Sequence, residues 1–235
     1  MGATIMPFFF LLFAAFFVFV VISIIRGHIK NRERLEALTK MSARRDLRFT
    51  TEADYEMENR FPEFQCLQDG DDRYAYNILH GEWSGRNFIG FDYHYETTST
   101  DSDGDETTHN HYFSAVIVEC DVPMKPLTIG EESIFDRFWN FFGFDDIDFE
   151  SAEFSDQFKV HAEDRRWAFD VLHARTMEFL LHSPRFSLAF SRTHCIAWRG
   201  STFEVAEYEA AVDVVAGILD RMPDYVRQQQ LELRS

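Results

Sequence analysis

From Phe8 to Ile25 the chain runs through 18 residues with no charge and one polar side chain, Ser23. Fifteen of the 18 are Phe, Leu, Val or Ile. As a helix this run is about 27 Å long, enough to cross a hydrocarbon core with little tilt. Its transfer into a bilayer gains roughly 5 to 9 kcal/mol. The pattern predicts a transmembrane helix. Residues 26–46 then read as a polar helix with a thin apolar stripe of Leu35, Leu38 and Met41.

Beyond residue 48 the pattern changes to short apolar runs broken by turn residues. Strands are expected at 73–83, 87–97, 109–122, 127–129, 158–161, 185–191 and 194–199. Ser84-Gly85 marks a hairpin turn between the first two. Helices are expected at 133–144, 164–182 and 204–222, the last with Tyr208, Ala211, Val212, Val215, Leu219 and Met222 on one face. Ser183-Pro184 and Pro223 stop the later two. The fold class is therefore α+β: an N-terminal transmembrane helix, then an antiparallel β-sheet domain with two or three packed helices. The expected organisation is an external N-terminus and membrane helix at 1–25, a basic juxtamembrane helix at 26–48, an acidic domain at 49–223 and a polar tail at 224–235.

Charge sets the orientation. Arg26, Lys30, Arg32, Arg34, Lys40, Arg44, Arg45 and Arg48 face only Glu33, Glu36 and Asp46, leaving +5 over residues 26–48. The whole chain carries −17 and residues 1–25 have no charged side chain, so residues 49–235 carry −22. The positive-inside rule places the C-terminal side in the cytoplasm of a single-pass membrane protein. Met1–Pro7 has no Lys or Arg and no A-x-A-like site follows the apolar run, so a retained anchor is expected rather than a cleaved signal. The lipid bilayer is the partner of Phe8–Ile25, and anionic headgroups are the partner of the basic collar. A domain at −22 repels nucleic acid. Cys66, Cys120 and Cys195 are odd in number and scattered, which gives neither a disulfide framework nor a metal pair.

Candidate chemistry centres on the hairpin around Asp101–Glu106. If it turns between residues 102 and 103, His94 faces His111 and Glu96 faces His109. Asp92, His94, Glu96, His109 and His111 then share one face, and Phe91, Tyr93, Tyr95 and Tyr112 the other. His94, His109 and His111 would form a divalent-metal site with an open position, as zinc hydrolases use. The plain alternative is a solvated face opposite an aromatic core face. The acidic loop lacks the spacing and late bidentate Glu of a calcium loop. The helix at 133–144 carries six large apolar side chains between Ile134 and Phe142, suited to core burial or docking. No nucleophile elbow or phosphate loop is present, and His194 and Cys195, as strand neighbours, point apart.

Gly81-x-x-x-Gly85-Arg86, Phe91-Asp92-Tyr93, Phe154-x-x-x-Phe158-x-Val160, then Asp164 and Ala168 opening a helix, follow one another in the chain. This order resembles uncharacterised prokaryotic single-pass membrane-anchored proteins with a C-terminal domain of unknown function. The resemblance covers about residues 75–220 and brings no catalytic residues or cofactor. The expected function is a membrane-anchored, non-catalytic interaction or scaffold domain with an unidentified protein partner. The alternatives are a metal-binding domain, including a hydrolase, that uses the histidine hairpin, and an accessory subunit of a larger membrane complex.

Overall fold

The computed structural model describes residues 5–131 and 147–232, with side chains at residue 13 and from residue 16 onward. The chain divides into two compact units, Met1–Met41 and Ser42–Ser235. Helix α1 (Ile5–Arg45) opens the chain. In it Phe13, Phe16, Phe17, Val18, Phe19, Val21, Ile22, Ile24, Ile25 and Ile29 are all exposed. Four consecutive positions, Phe16 to Phe19, cover a full helical turn, so the apolar surface runs all the way round. Among the described residues no helix is long and apolar enough to cross a membrane. Of the expected span, Phe8–Leu12, Ala14 and Ala15 lie outside the residues whose side chains are described.

The second unit is built on one eight-stranded antiparallel sheet. Its strands are β1 (Arg48–Thr50), β2 (Asp71–Trp83), β3 (Arg86–Thr100), β4 (Glu106–Glu119), β5 (Leu127–Gly130), β6 (Lys159–Ala162), β7 (Ser187–Phe190) and β8 (His194–Arg199). The spatial order is β1-β2-β3-β4-β8-β7-β5-β6. Ser84 (φ 52°) and Gly85 (φ 75°) form the two-residue turn joining β2 to β3, as the sequence predicts. Two successive left-handed residues match the twist of the strands they join.

Both faces of the sheet centre are covered. On one, Phe91, Tyr93, Tyr95, Phe113, Ala115 and Ile117 pack with Met57, Phe61, Phe64 and Leu67. Those four belong to helix α2 (Met57–Arg60), the segment after it and the 3-10 turn Gln65–Leu67. On the other, helix α6 (Val205–Arg221) lies over β4 and β8 and buries Tyr208, Ala211, Val212, Val215 and Leu219. Double burial explains why Phe113–Val118 is apolar at nearly every position rather than alternating.

Three expectations need correction. The single helix at 164–182 is two, α4 (Arg165–Val171) and α5 (Ala174–Leu181), separated at Leu172 and His173. His173 is extended there (ψ 169°), and its ring nitrogen lies 2.9 Å from the Arg221 carbonyl at the end of α6. The polar tail at 224–235 contains helix α7 (Asp224–Glu232), which buries Val226 and Gln230. Strand β1 escapes the sequence pattern because three residues carry no periodicity. With helix α3 (Ala152–Gln157), the described part of the second unit has six helices rather than two or three. The expected helix at 133–144 lies outside the described residues.

Candidate functional site

The β3–β4 hairpin closes through a three-residue loop. Asp101 N–H donates to the Asp105 carbonyl (3.0 Å), and Asp101 Oδ1 accepts from the N–H groups of Asp103 and Asp105, each at 2.9 Å. Gly104 takes the left-handed position of the loop (φ 89°). An odd loop shifts the pairing by one residue from an even one, and this overturns the expected register. His94 faces Tyr112, Tyr95 faces His111, Glu96 faces Asn110 and Thr97 faces His109. His94 therefore lies on one face of the hairpin, and His109 and His111 on the other. Tyr112 changes sides with them, and Phe113 takes its place beside Tyr93 and Tyr95.

Each imidazole is held locally. His94 is buried between Tyr74 (4.7 Å between ring centroids) and Tyr112 (4.9 Å). Its ring nitrogens lie 3.1 Å from the Asp72 carbonyl oxygen and 2.8 Å from Asn110 Oδ1. His111 stacks on Tyr95 at 4.6 Å and its Nε2 lies 2.8 Å from Thr97 Oγ1. His109 Nε2 lies 3.2 Å from Ser99 Oγ. Among the described residues, no group of three or more His, Cys, Asp or Glu side chains is arranged to hold a metal ion.

The most unusual polar group in the sheet is Asp92, fully buried between Phe91 and Tyr93. Asn77 Nδ2 (2.7 Å), Ser114 Oγ (2.5 Å) and Tyr208 O–H (2.7 Å) all donate to its carboxylate. Ser114 Oγ in turn accepts from the Phe203 N–H (2.8 Å). One carboxylate thus ties β2, β3, β4, the approach to α6 and α6 itself. Asn77 reaches it from a register shift in β2, where its φ is 50°. Ser114 and Asp92 are both fully buried, and their bonds join three strands and α6 as a structural rivet.

Arg86 forms a second rivet. Its Nε lies 3.0 Å from Asp121 Oδ1, and its terminal nitrogen lies 2.5 Å from Asp121 Oδ2 and 2.7 Å from Asp220 Oδ1. Arg227 on α7 comes within 3.7 Å of the same Asp121. Burial alone would lower the Arg86 pKa, but its hydrogen bonds to the two carboxylates reverse this and hold it above its ordinary value. Arg86 thereby pins the β2–β3 turn to the ends of β4 and α6.

A groove of about 310 Å³ lies between the segment after α2 and the β5–β6–β7–β8 half of the sheet. Phe64, Cys66, Leu127, His161, Phe190 and Trp198 line it, with Glu63 and Glu163 among its acidic residues. Burial pushes the Cys66 thiol far above its usual pKa, which suits a packing residue and not a nucleophile. Strands far apart in sequence assemble this groove, so no local pattern announces it. Asp92 had a legible signal, as the charged residue inside an aromatic strand run.

The domain is therefore an α+β protein with an antiparallel sheet covered on both central faces. No protein-family model matches the chain, and no curated protein matches it significantly. Among solved structures it is similar to the crystal structure of the mycobacterial trehalose monomycolate transport factor A, TtfA. The two share 11% identity, with a TM-score of 0.50 over 80% of this chain and 92% of that one. At this identity the likeness shows a shared fold.

Proposed function

We propose that this chain is a single-pass membrane protein whose acidic α+β domain faces the cytoplasm and acts by binding, as an accessory subunit of a membrane or envelope assembly. The observation that carries the reading is α1, where ten large apolar side chains from Phe13 to Ile29 are exposed around the whole circumference. In water that surface is costly; in a bilayer it is the solvated state. The +5 collar that follows orients the chain. The accessory role draws support from the neighbour sharing the fold, which is a transport factor. It draws further support from the site: the buried polar groups are structural rivets, and the histidines do not converge.

The test is affinity purification of the full chain from native membranes in mild detergent. The reading expects it in the membrane fraction and co-purifying in fixed ratio with an integral membrane protein. A variant lacking residues 8–25 should move to the soluble fraction and lose that protein. Full-length chain that stays soluble, or that elutes alone from the membrane, contradicts it.

A further inference from the structure

The β3–β4 hairpin is longer than the sheet that supports it. β2 pairs with β3 only as far as Glu96, and β8 reaches β4 only as far as Ser114. Among the described residues, no strand pairs with the outer edge of β4 from Glu106 to Phe113. The direction of its free backbone groups follows from two bonds on that side. Ser114 N–H donates to the Ser201 carbonyl (3.2 Å) and Cys120 N–H to the Thr193 carbonyl (2.8 Å). Both are even-numbered, and β4 pairs with β3 without a register shift. Backbone direction alternates along an antiparallel strand, so Glu106, Thr108, Asn110 and Tyr112 turn their N–H and C=O groups outward.

Sheet edges are normally blunted by Pro, Lys, bulges or short length. The run Glu106-Thr-Thr-His-Asn-His-Tyr112 has none of the first three and is rich in strand-forming Thr and Tyr. The two outermost strands are blunted: β1 has three residues, and the Ile147 N–H bonds the Val160 carbonyl of β6 at 3.0 Å; across the hairpin, β3 extends past β2 only from Thr97 to Thr100. Charge names the occupant. Asp101, Asp103, Asp105 and Glu106 crowd the hairpin tip, and the domain carries −22. On the Tyr112 face, Glu96 pairs opposite Asn110, and Tyr55, Tyr74 and His94 continue a row of rings. Half-exposed Tyr112, on the edge strand itself, presents π-surface to a cation. A second copy would bring the same negative charge to the same edge.

We propose that the β4 edge over Glu106–Tyr112 takes an extended, basic segment of a partner protein as an added strand. The backbone of the segment pairs with Thr108, Asn110 and Tyr112, and its cationic side chains reach the Tyr112 ring and the acidic tip. The inference rests on the accessory-domain reading and specifies how a partner engages it.

The test uses the full chain in detergent micelles and a labelled peptide of alternating valine and arginine at physiological salt. The control peptide carries a methyl group on every backbone nitrogen, which keeps the charge and removes every donor. The alternating peptide should bind and slow amide exchange at Thr108, Asn110 and Tyr112. Thr108→Pro removes one outward N–H and should weaken binding about tenfold with little change in melting temperature. Converting Asp101, Asp103 and Asp105 to Asn should weaken binding and flatten its salt dependence even if the proline variant folds poorly. Equal binding of the N-methylated peptide, protection elsewhere, or no binding overturns the proposal. So does a dimer of the chain that protects these same amides without peptide. Failure of the peptide with co-purification intact removes the edge and leaves the accessory reading standing; failure of both removes both.

Discussion

Replacing the Asp92 carboxylate with a methyl group would leave the donors of Asn77, Ser114 and Tyr208 without this acceptor in the centre of the domain. Buried donors that lose their acceptor cost more than the bond itself contributed. Asp92→Ala should therefore destabilise the protein by about 3 kcal/mol in denaturant titration, and Asp92→Asn by less. A loss under about 1 kcal/mol for the alanine variant would contradict the rivet assignment. The histidines make the opposite prediction. With His94 on the far face from His109 and His111, Zn²⁺ should shift the melting temperature of the protein and of its triple His→Ala variant equally. At this scale the sequence showed which strands carry these residues and not which of them meet. One residue in the loop decides the face of every β4 side chain, and the Asp101 side chain that closes the loop is invisible to alternation.

Helix ends carry the next set of consequences. Asp164 caps α4 by accepting from the Trp167 N–H (3.1 Å) and pairs with Lys125 (2.6 Å). The Lys125 hydrogen bond, then the Trp167 N–H, hold its carboxyl below the usual range. A pKa lower in the folded than in the unfolded state adds stability above the unfolded pKa, and that stability is lost as pH falls through the folded value. Asp164→Asn should lower the melting temperature near neutral pH and narrow its gap to the parent as pH falls from about 7 to about 3. Gly217 tests the packing of α5 on α6. A Cβ there would sit 2.3 Å from the Phe179 ring, which the Arg221 guanidinium covers from 3.9 Å. Gly217→Ala should destabilise the fold despite the roughly 1 kcal/mol that alanine gains in helix propensity. Strand positions and α6 were legible because they are long and strongly patterned. The break at Leu172–His173 was not: no turn residue marks it, and the His173 ring meets the Arg221 carbonyl 48 residues away.

For the whole molecule the governing feature is the separation of three surfaces along the chain: an apolar helix, a +5 collar and a −22 domain. Composition and order alone show this, so the separation is legible in the sequence. The groove and the free β4 edge are not, since each depends on which strands become neighbours. The proposed function has α1 anchoring the domain on the cytoplasmic side. The direct measurement is a pair of reporter fusions after Ser235, one active only in the cytoplasm and one only outside it. Signal is expected from the cytoplasmic reporter, in membranes that retain the chain after a high-salt wash. Signal from the external reporter would contradict the orientation, and release of the chain by the wash would contradict the anchor.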